Sequence, residues 1–160
     1  MAVSHPPQAP VACPQQLTGA RRDAWVGLLR VHAAVTRALD ADLLVHCRLS
    51  LSAFEVLARV ACAPEGHLRI SDLAHAALLS QSRVSRLVDA LEAEGYLERR
   101  SCPRDSRVVH ATITERGRRL ADEAAAVHAA AVDTRFLAHL SEEQVADLCV
   151  AWEQVLGSQG

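Results

Sequence analysis

The chain has 160 residues, half of them hydrophobic and 22% charged, with a formal net charge of -2. This excludes a disordered or fibrous chain and suits one domain-sized core. Aromatics make up only 3%, so the core must come from Leu, Val and Ala, a mixture that favours helix over sheet.

Residues 1–17 hold four of the six prolines (Pro6, Pro7, Pro10, Pro14) and predict a flexible N-terminal arm. The stretch has no continuous apolar run and no basic residue before Arg21, so no signal peptide is expected. No segment reaches the roughly 18 apolar residues of a membrane span, and a cytoplasmic protein without membrane contact is expected. From Arg21 to His46, Trp25, Leu28, Leu29, His32, Val35, Leu39 and Leu43 recur on one helical stripe. Such a long stripe needs a partner to cover it. Ser52, with Glu55 three residues on, predicts an N-cap and capping box for a helix to about Cys62.

Ala63-Pro64-Glu65-Gly66 ends that helix, and His67 to Ile70 reads as extended. Ser71 is expected to cap a short helix, 72–77, and Ser80 the next, from Gln81 to about Glu94, stopped by Gly95. Tyr96 to Arg100 and Val108 to Ile113 predict two strands, with polar residues 101–107 as a long hairpin tip. Thr114 caps an Ala-rich helix to about Asp133, and Ser141 starts a last helix to about Leu156. Val145, Leu148, Val150, Trp152 and Leu156 give that last helix an apolar stripe that, like the first, needs cover. The expected organisation is an arm (1–17), an N-terminal dimerisation helix (18–50), a central lobe (51–113) and C-terminal dimerisation helices (114–160).

The centre of the chain, two short helices joined by a tight turn and followed by a hairpin, is the pattern of a helix-turn-helix with a wing. Val84, Leu87, Val88 and Leu91 are spaced i, i+3, i+4, i+7 and predict the buried face of the second helix. Gln81, Ser82, Arg83, Ser85 and Arg86 stand on or beside the opposite face, where short polar side chains and Arg suit base edges in a major groove. Charge is uneven along the chain. Residues 79–119 carry nine Arg against six acids, while the rest is net acidic. Arg83 and Arg86, and again Arg116, Arg118 and Arg119, lie near helix N-termini, where a cation opposes the helix dipole unless an anionic partner is present. Arg99, Arg104 and Arg107 place further positive charge on the hairpin.

The run Leu68-Arg69-Ile70-Ser71-Asp72-Leu73-Ala74, the run from Leu79 to Glu92 (LSQSRVSRLVDALE), and Gly95-Tyr96-Leu97-Glu98-Arg99-Arg100 together resemble the MarR family of bacterial transcription regulators. The resemblance continues through Asp105-Ser106-Arg107, matching the family's D-x-R in the wing, and Ile113-Thr114-Glu115-Arg116-Gly117, and covers about residues 20 to 156. It implies a mainly α fold with a small β-wing, a winged helix-turn-helix that dimerises through its N- and C-terminal helices. It also implies a recognition helix in a major groove, a wing Arg in a minor groove, and repression relieved by a small ligand or by thiol oxidation. Ser106 departs from the Arg that many members carry there, which leaves Arg104 or Arg107 for the minor groove. Cys13 lies outside the first long helix, so the resemblance does not imply an organic-peroxide sensor.

The expected partners are therefore a double-stranded operator, a second copy of the chain and a small-molecule effector. By position in the family, Trp25, His32, Cys47 and Arg48 are candidate effector contacts. Cys102, flanked by Arg99, Arg100 and Arg104, is a candidate redox thiol. The five cysteines are odd in number and scattered, as expected of free thiols. No C-x-x-C, H-x-x-x-H or H-E-x-x-H spacing implies a metal, and no cofactor or catalytic constellation is expected. Two other readings remain at this stage: a thiol- or metal-responsive regulator, and a winged-helix module that binds protein rather than DNA.

Overall fold

The computed structural model describes residues 17–102 and 105–158, with the backbone alone at 102 and 105–107. The arm expected over 1–17, apart from Leu17, lies outside the described residues, as do Pro103 and Arg104. In chain order the elements are α1 (Gly19–Cys47), α2 (Leu51–Cys62), β1 (His67–Arg69), α3 (Ile70–Ala76), α4 (Gln81–Ala93), β2 (Leu97–Cys102), β3 (Asp105–Ile113), α5 (Glu115–Arg135) and α6 (Glu142–Gly157). By its contacts the chain divides at Ala34, inside α1. In the first unit, Trp25, Val26, Leu28, Leu29 and Val31 are all exposed.

The second unit, from Val35 onward, holds the core. Leu43, Val56, Leu57, Val60, Leu73, Val84, Val88 and Leu97 are fully buried, and Ala111, Ala121 and Ala124 close the gaps between elements. Small side chains there let α5 lie close against α2, where the Phe54 and His128 rings stand 5.0 Å apart. The three strands form one antiparallel sheet in the order β1-β3-β2, with Leu68 opposite Ala111 and Leu97 opposite Ile113. Among the described residues, no helix is long and apolar enough to cross a membrane.

Three local expectations are corrected. The N-cap of α2 is Ser50, whose side chain accepts from the Ala53 N–H, so Ser52 sits inside the helix. The Leu51 N–H is taken by Asp40 Oδ1 from α1 at 2.7 Å, a second cap that no local pattern encodes. α3 starts at Ile70 with Arg69 at the cap and no side-chain cap bond, so Ser71 lies within the helix and instead donates to Asp72. The strands also run further into the hairpin than expected, to Cys102 and from Asp105, because ladder bonds are made by backbone that polar side chains do not disturb. Ser80, Thr114 and Ser141 cap α4, α5 and α6 as their sequence positions predict.

The junction of wing and α5 depends on one close approach. Thr114 Oγ1 donates to the Gly95 carbonyl at 2.8 Å and accepts from the Gly117 N–H at 2.9 Å. The Thr114 N–H donates to the Tyr96 carbonyl at 3.1 Å. At Gly117 a Cβ would collide with that same Tyr96 carbonyl, so the position admits no side chain.

Candidate nucleic-acid interface

The second helix of the helix-turn-helix, α4, buries Val84, Val88 and Leu91 and half-buries Leu87, the face its periodicity predicts. Its other side begins with Gln81, Ser82 and Arg83, all exposed, followed by half-buried Ser85 and exposed Arg86. Ser80 Oγ accepts the Arg83 N–H at 3.3 Å and lies 3.2 Å from Ser82 Oγ, which fixes the first turn. Arg86 folds back so that its Nε donates to the Ser82 carbonyl at 3.3 Å. Arg83 reaches off the helix altogether: its Nη2 donates to Ser52 Oγ on α2 at 3.1 Å. Ser52 was not among the sequence candidates. Two serines two residues apart at a helix start leave undecided which one caps and which has a hydroxyl to spare.

The wing is fastened to this helix by Arg99. Its Nη2 lies 2.7 Å from Asp89 Oδ1 and donates to the Ser85 carbonyl at 3.0 Å and Ser85 Oγ at 3.1 Å. Its Nε stands 3.4 Å from Glu92 Oε2, an ion pair without the alignment of a hydrogen bond. The Arg99 N–H donates to the other Glu92 oxygen at 2.9 Å. With a side chain only 27% exposed, Arg99 is directed inward at the junction, whereas Arg100 is 67% exposed and pairs with Glu98. Arg107 is on β3 and Cys102 on β2, Cys102 opposite Asp105 in the ladder. Arg104 lies outside the described residues.

At the start of α5, Arg118 Nη1 donates to the Ala61 carbonyl at 3.2 Å, satisfying an end of α2. Arg119 pairs with Glu115 at 3.3 Å, and Arg116 stacks over the Tyr96 ring at 4.7 Å. Arg118 and Arg119 both remain exposed.

The effector candidates fall in different places. Trp25, 52% exposed, and His32 belong to the first unit, Cys47 and Arg48 to the second. Cys47 is buried, and burial, reinforced by the Glu123 charge, pushes its thiol up from its ordinary range. Arg48 is exposed at a left-handed φ of 55° just past α1, where the helix stops. A shallow cleft of about 290 Å³ in the second unit is lined by Asp42 and His46 of α1 and Val127, Ala130, Ala131 and Thr134 of α5, and by none of the four candidates. Arg135 pairs with Asp42 at 3.3 Å. Among the described residues, no group of three or more His, Cys, Asp or Glu is placed to hold a metal.

A two-helix unit with a polar, Arg-bearing second helix, backed by a three-stranded wing, defines a winged helix-turn-helix. The MarR family model matches residues 49–109, which span α2 to β3. The HTH-type transcriptional regulator MhqR of Bacillus subtilis (strain 168) is 39% identical over 72 residues, 45% of this chain; the match spans about half, 48%, of that protein. Sco3205, a MarR family transcriptional regulator from Streptomyces coelicolor solved in complex with DNA, superposes with a TM-score of 0.83 at 26% identity, covering 90% of this chain and 94% of that one. CouR from Rhodococcus jostii RHA1, solved bound to p-coumaroyl-CoA, superposes with a TM-score of 0.72 at 28% identity, covering 87% and 95%. Over residues 49–109 the chain is similar to the MarR family, and its fold matches that of MarR family transcriptional regulators, one of them solved in complex with DNA.

Proposed function

We propose that the protein acts in the cytoplasm as a homodimeric repressor, with its two α4 helices in successive major grooves of a pseudo-palindromic operator. The exposed start of α4 carries this reading: Gln81, Ser82, Arg83 and Arg86 stand over a face closed by Val84, Val88 and Leu91. In this reading Gln81, Ser82, Ser85 and Arg86 meet base edges, Arg86 by a bidentate contact to guanine. Arg104 and Arg107 serve the minor groove, Arg118 and Arg119 the phosphates. Arg99 contributes by holding the wing against α4.

Dimerisation is supported by where apolar surface is left over. Every large hydrophobic that is strongly exposed among the described residues, Leu78 excepted, lies within residues 17–45 or 137–156. α6 buries no residue at all within one chain. An effector is proposed to enter the cleft beside Asp42 and His46, next in sequence to Cys47 and Arg48, and to favour a dimer whose α4 helices no longer match the groove spacing. A gel-shift with the DNA upstream of the protein's own gene, paired with light scattering, tests the reading. A dimer that shifts this DNA more tightly than random DNA is expected. A monomer at micromolar concentration, or no shift by the folded protein, contradicts it.

A further inference from the structure

The displaced cap of α2 leaves one hydroxyl committed to the recognition helix. Ser52 is flanked by two fastened amides: the Leu51 N–H is held by Asp40 Oδ1 at 2.7 Å and the Ala53 N–H by Ser50 Oγ at 3.2 Å. The first turn of α2 is thereby fixed to α1 on one side and to its own cap on the other. From this turn Ser52 Oγ accepts Arg83 Nη2 at 3.1 Å, a bond across 31 positions of sequence. Arg83 itself starts from a fixed backbone, its N–H on Ser80 Oγ. Both ends of the Arg83 side chain are therefore anchored, although the residue is exposed.

We infer that Ser52 is a positioning residue for DNA binding, holding Arg83 as a phosphate contact at the edge of the groove rather than a reader of bases. The inference rests on the DNA-binding reading above. A guanidinium tied through Nη2 toward α2 is drawn away from the groove face of α4, where Arg86 remains. Nε and both N–H groups of Nη1 stay available to donate to phosphate oxygens. Anchoring matters because a long side chain otherwise loses rotamer freedom on binding, and a bond already made in the free protein removes part of that loss.

The test measures binding of the full chain to operator and to random DNA over several salt concentrations, for Ser52→Ala, Ser52→Thr, Arg83→Ala and the double variant Ser52→Ala/Arg83→Ala, with folding checked by circular dichroism. Arg83→Ala is expected to weaken both DNAs alike and to reduce the salt slope by about one. Ser52→Ala is expected to weaken both by about three- to fivefold, close to 1 kcal/mol at 1.4 kcal/mol per tenfold. Ser52→Thr, which keeps the hydroxyl, should restore binding. In the Arg83→Ala background, Ser52→Ala should change nothing further. The inference is overturned if Ser52→Ala binds like the parent, or if its loss persists in the Arg83→Ala background, which marks a merely structural role. It is also overturned if either variant loses operator binding while keeping random DNA, which makes Arg83 a base reader. If the parent binds neither DNA, the DNA-binding reading fails and this inference with it. If Arg86→Ala weakens operator binding but Arg83→Ala does not, only this inference fails.

Discussion

Arg99 on β2 meets Asp89 on α4 at 2.7 Å, so the wing and α4 are joined by an ion pair rather than by apolar packing alone. Glu92, one turn further along the helix, takes both the Arg99 backbone N–H and a share of its guanidinium charge. Removing Arg99 strips the half-buried Ser85 carbonyl and Glu92 of a partner. Arg99→Ala is expected to cost about 1–3 kcal/mol of stability, and to weaken DNA binding without changing the salt slope. Arg100→Ala, which breaks an exposed pair, should stay within about 0.5 kcal/mol. Thermal unfolding of the two variants checks the contrast.

Leu78 is 90% exposed and holds a φ of 54° in the turn between α3 and α4. A side chain there pays for left-handed backbone, about 1–2 kcal/mol, without burying itself. Glycine is at home in that conformation, though it loses more freedom on folding. Leu78→Gly is therefore expected to stabilise the fold by up to about 1 kcal/mol, a rise of roughly 2–4 °C in Tm for a chain of this size. A fall in Tm would show that the Leu is held by contacts that the turn geometry does not reveal.

Gly117 behaves in the opposite way. Its conformation is ordinary and helical, but a Cβ would strike the Tyr96 carbonyl, which is backbone and cannot swing aside. Gly117→Ala should cost about 3 kcal/mol, although Ala is the better helix former. Denaturant unfolding measures it, and a stabilised variant would mean that wing and α5 separate more easily than their hydrogen bonds indicate.

The three caps at Ser80, Thr114 and Ser141, the buried stripe of α4 and the order of elements were all legible in the sequence, because each depends on residues within a turn of one another. What was not legible depends on distant partners. Ser50 rather than Ser52 caps α2 because Asp40, ten residues before the cap, already serves the next amide. Arg99 reads as one more basic residue of the hairpin until the fold brings Asp89 and Glu92 beneath it. Arg118 likewise reads in the sequence as one more basic residue, and only the fold shows that its exposed guanidinium also ties α5 to the Ala61 carbonyl. Trp25, by contrast, is as exposed in one chain as an uncovered stripe predicts.

Cys47 supplies a pH dependence. Burial raises its thiol above the ordinary value of 9.0, so above that pH the unfolded chain releases a proton that the folded chain retains. The stability from this group is complete below pH 9.0 and is lost as pH rises toward the folded value. Cys47→Ala should flatten the alkaline fall in unfolding free energy while lowering its plateau. In the folded protein, iodoacetamide should label the exposed Cys62 and Cys149 well before Cys47. Labelling of Cys47 at the same rate would show that α1 and α5 part readily around it.

The most direct test of the central claim is the binding of Arg86→Ala to operator and to random DNA, measured at several salt concentrations with folding confirmed. Arg86 is exposed on the second turn of α4, on the side opposite Val84 and Val88. A bidentate contact to guanine discriminates by about 1–3 kcal/mol. The account predicts that folded Arg86→Ala loses roughly ten- to a hundredfold in operator affinity while its binding to random DNA falls much less. Operator binding as tight as the parent's would contradict the placement of α4 in the major groove.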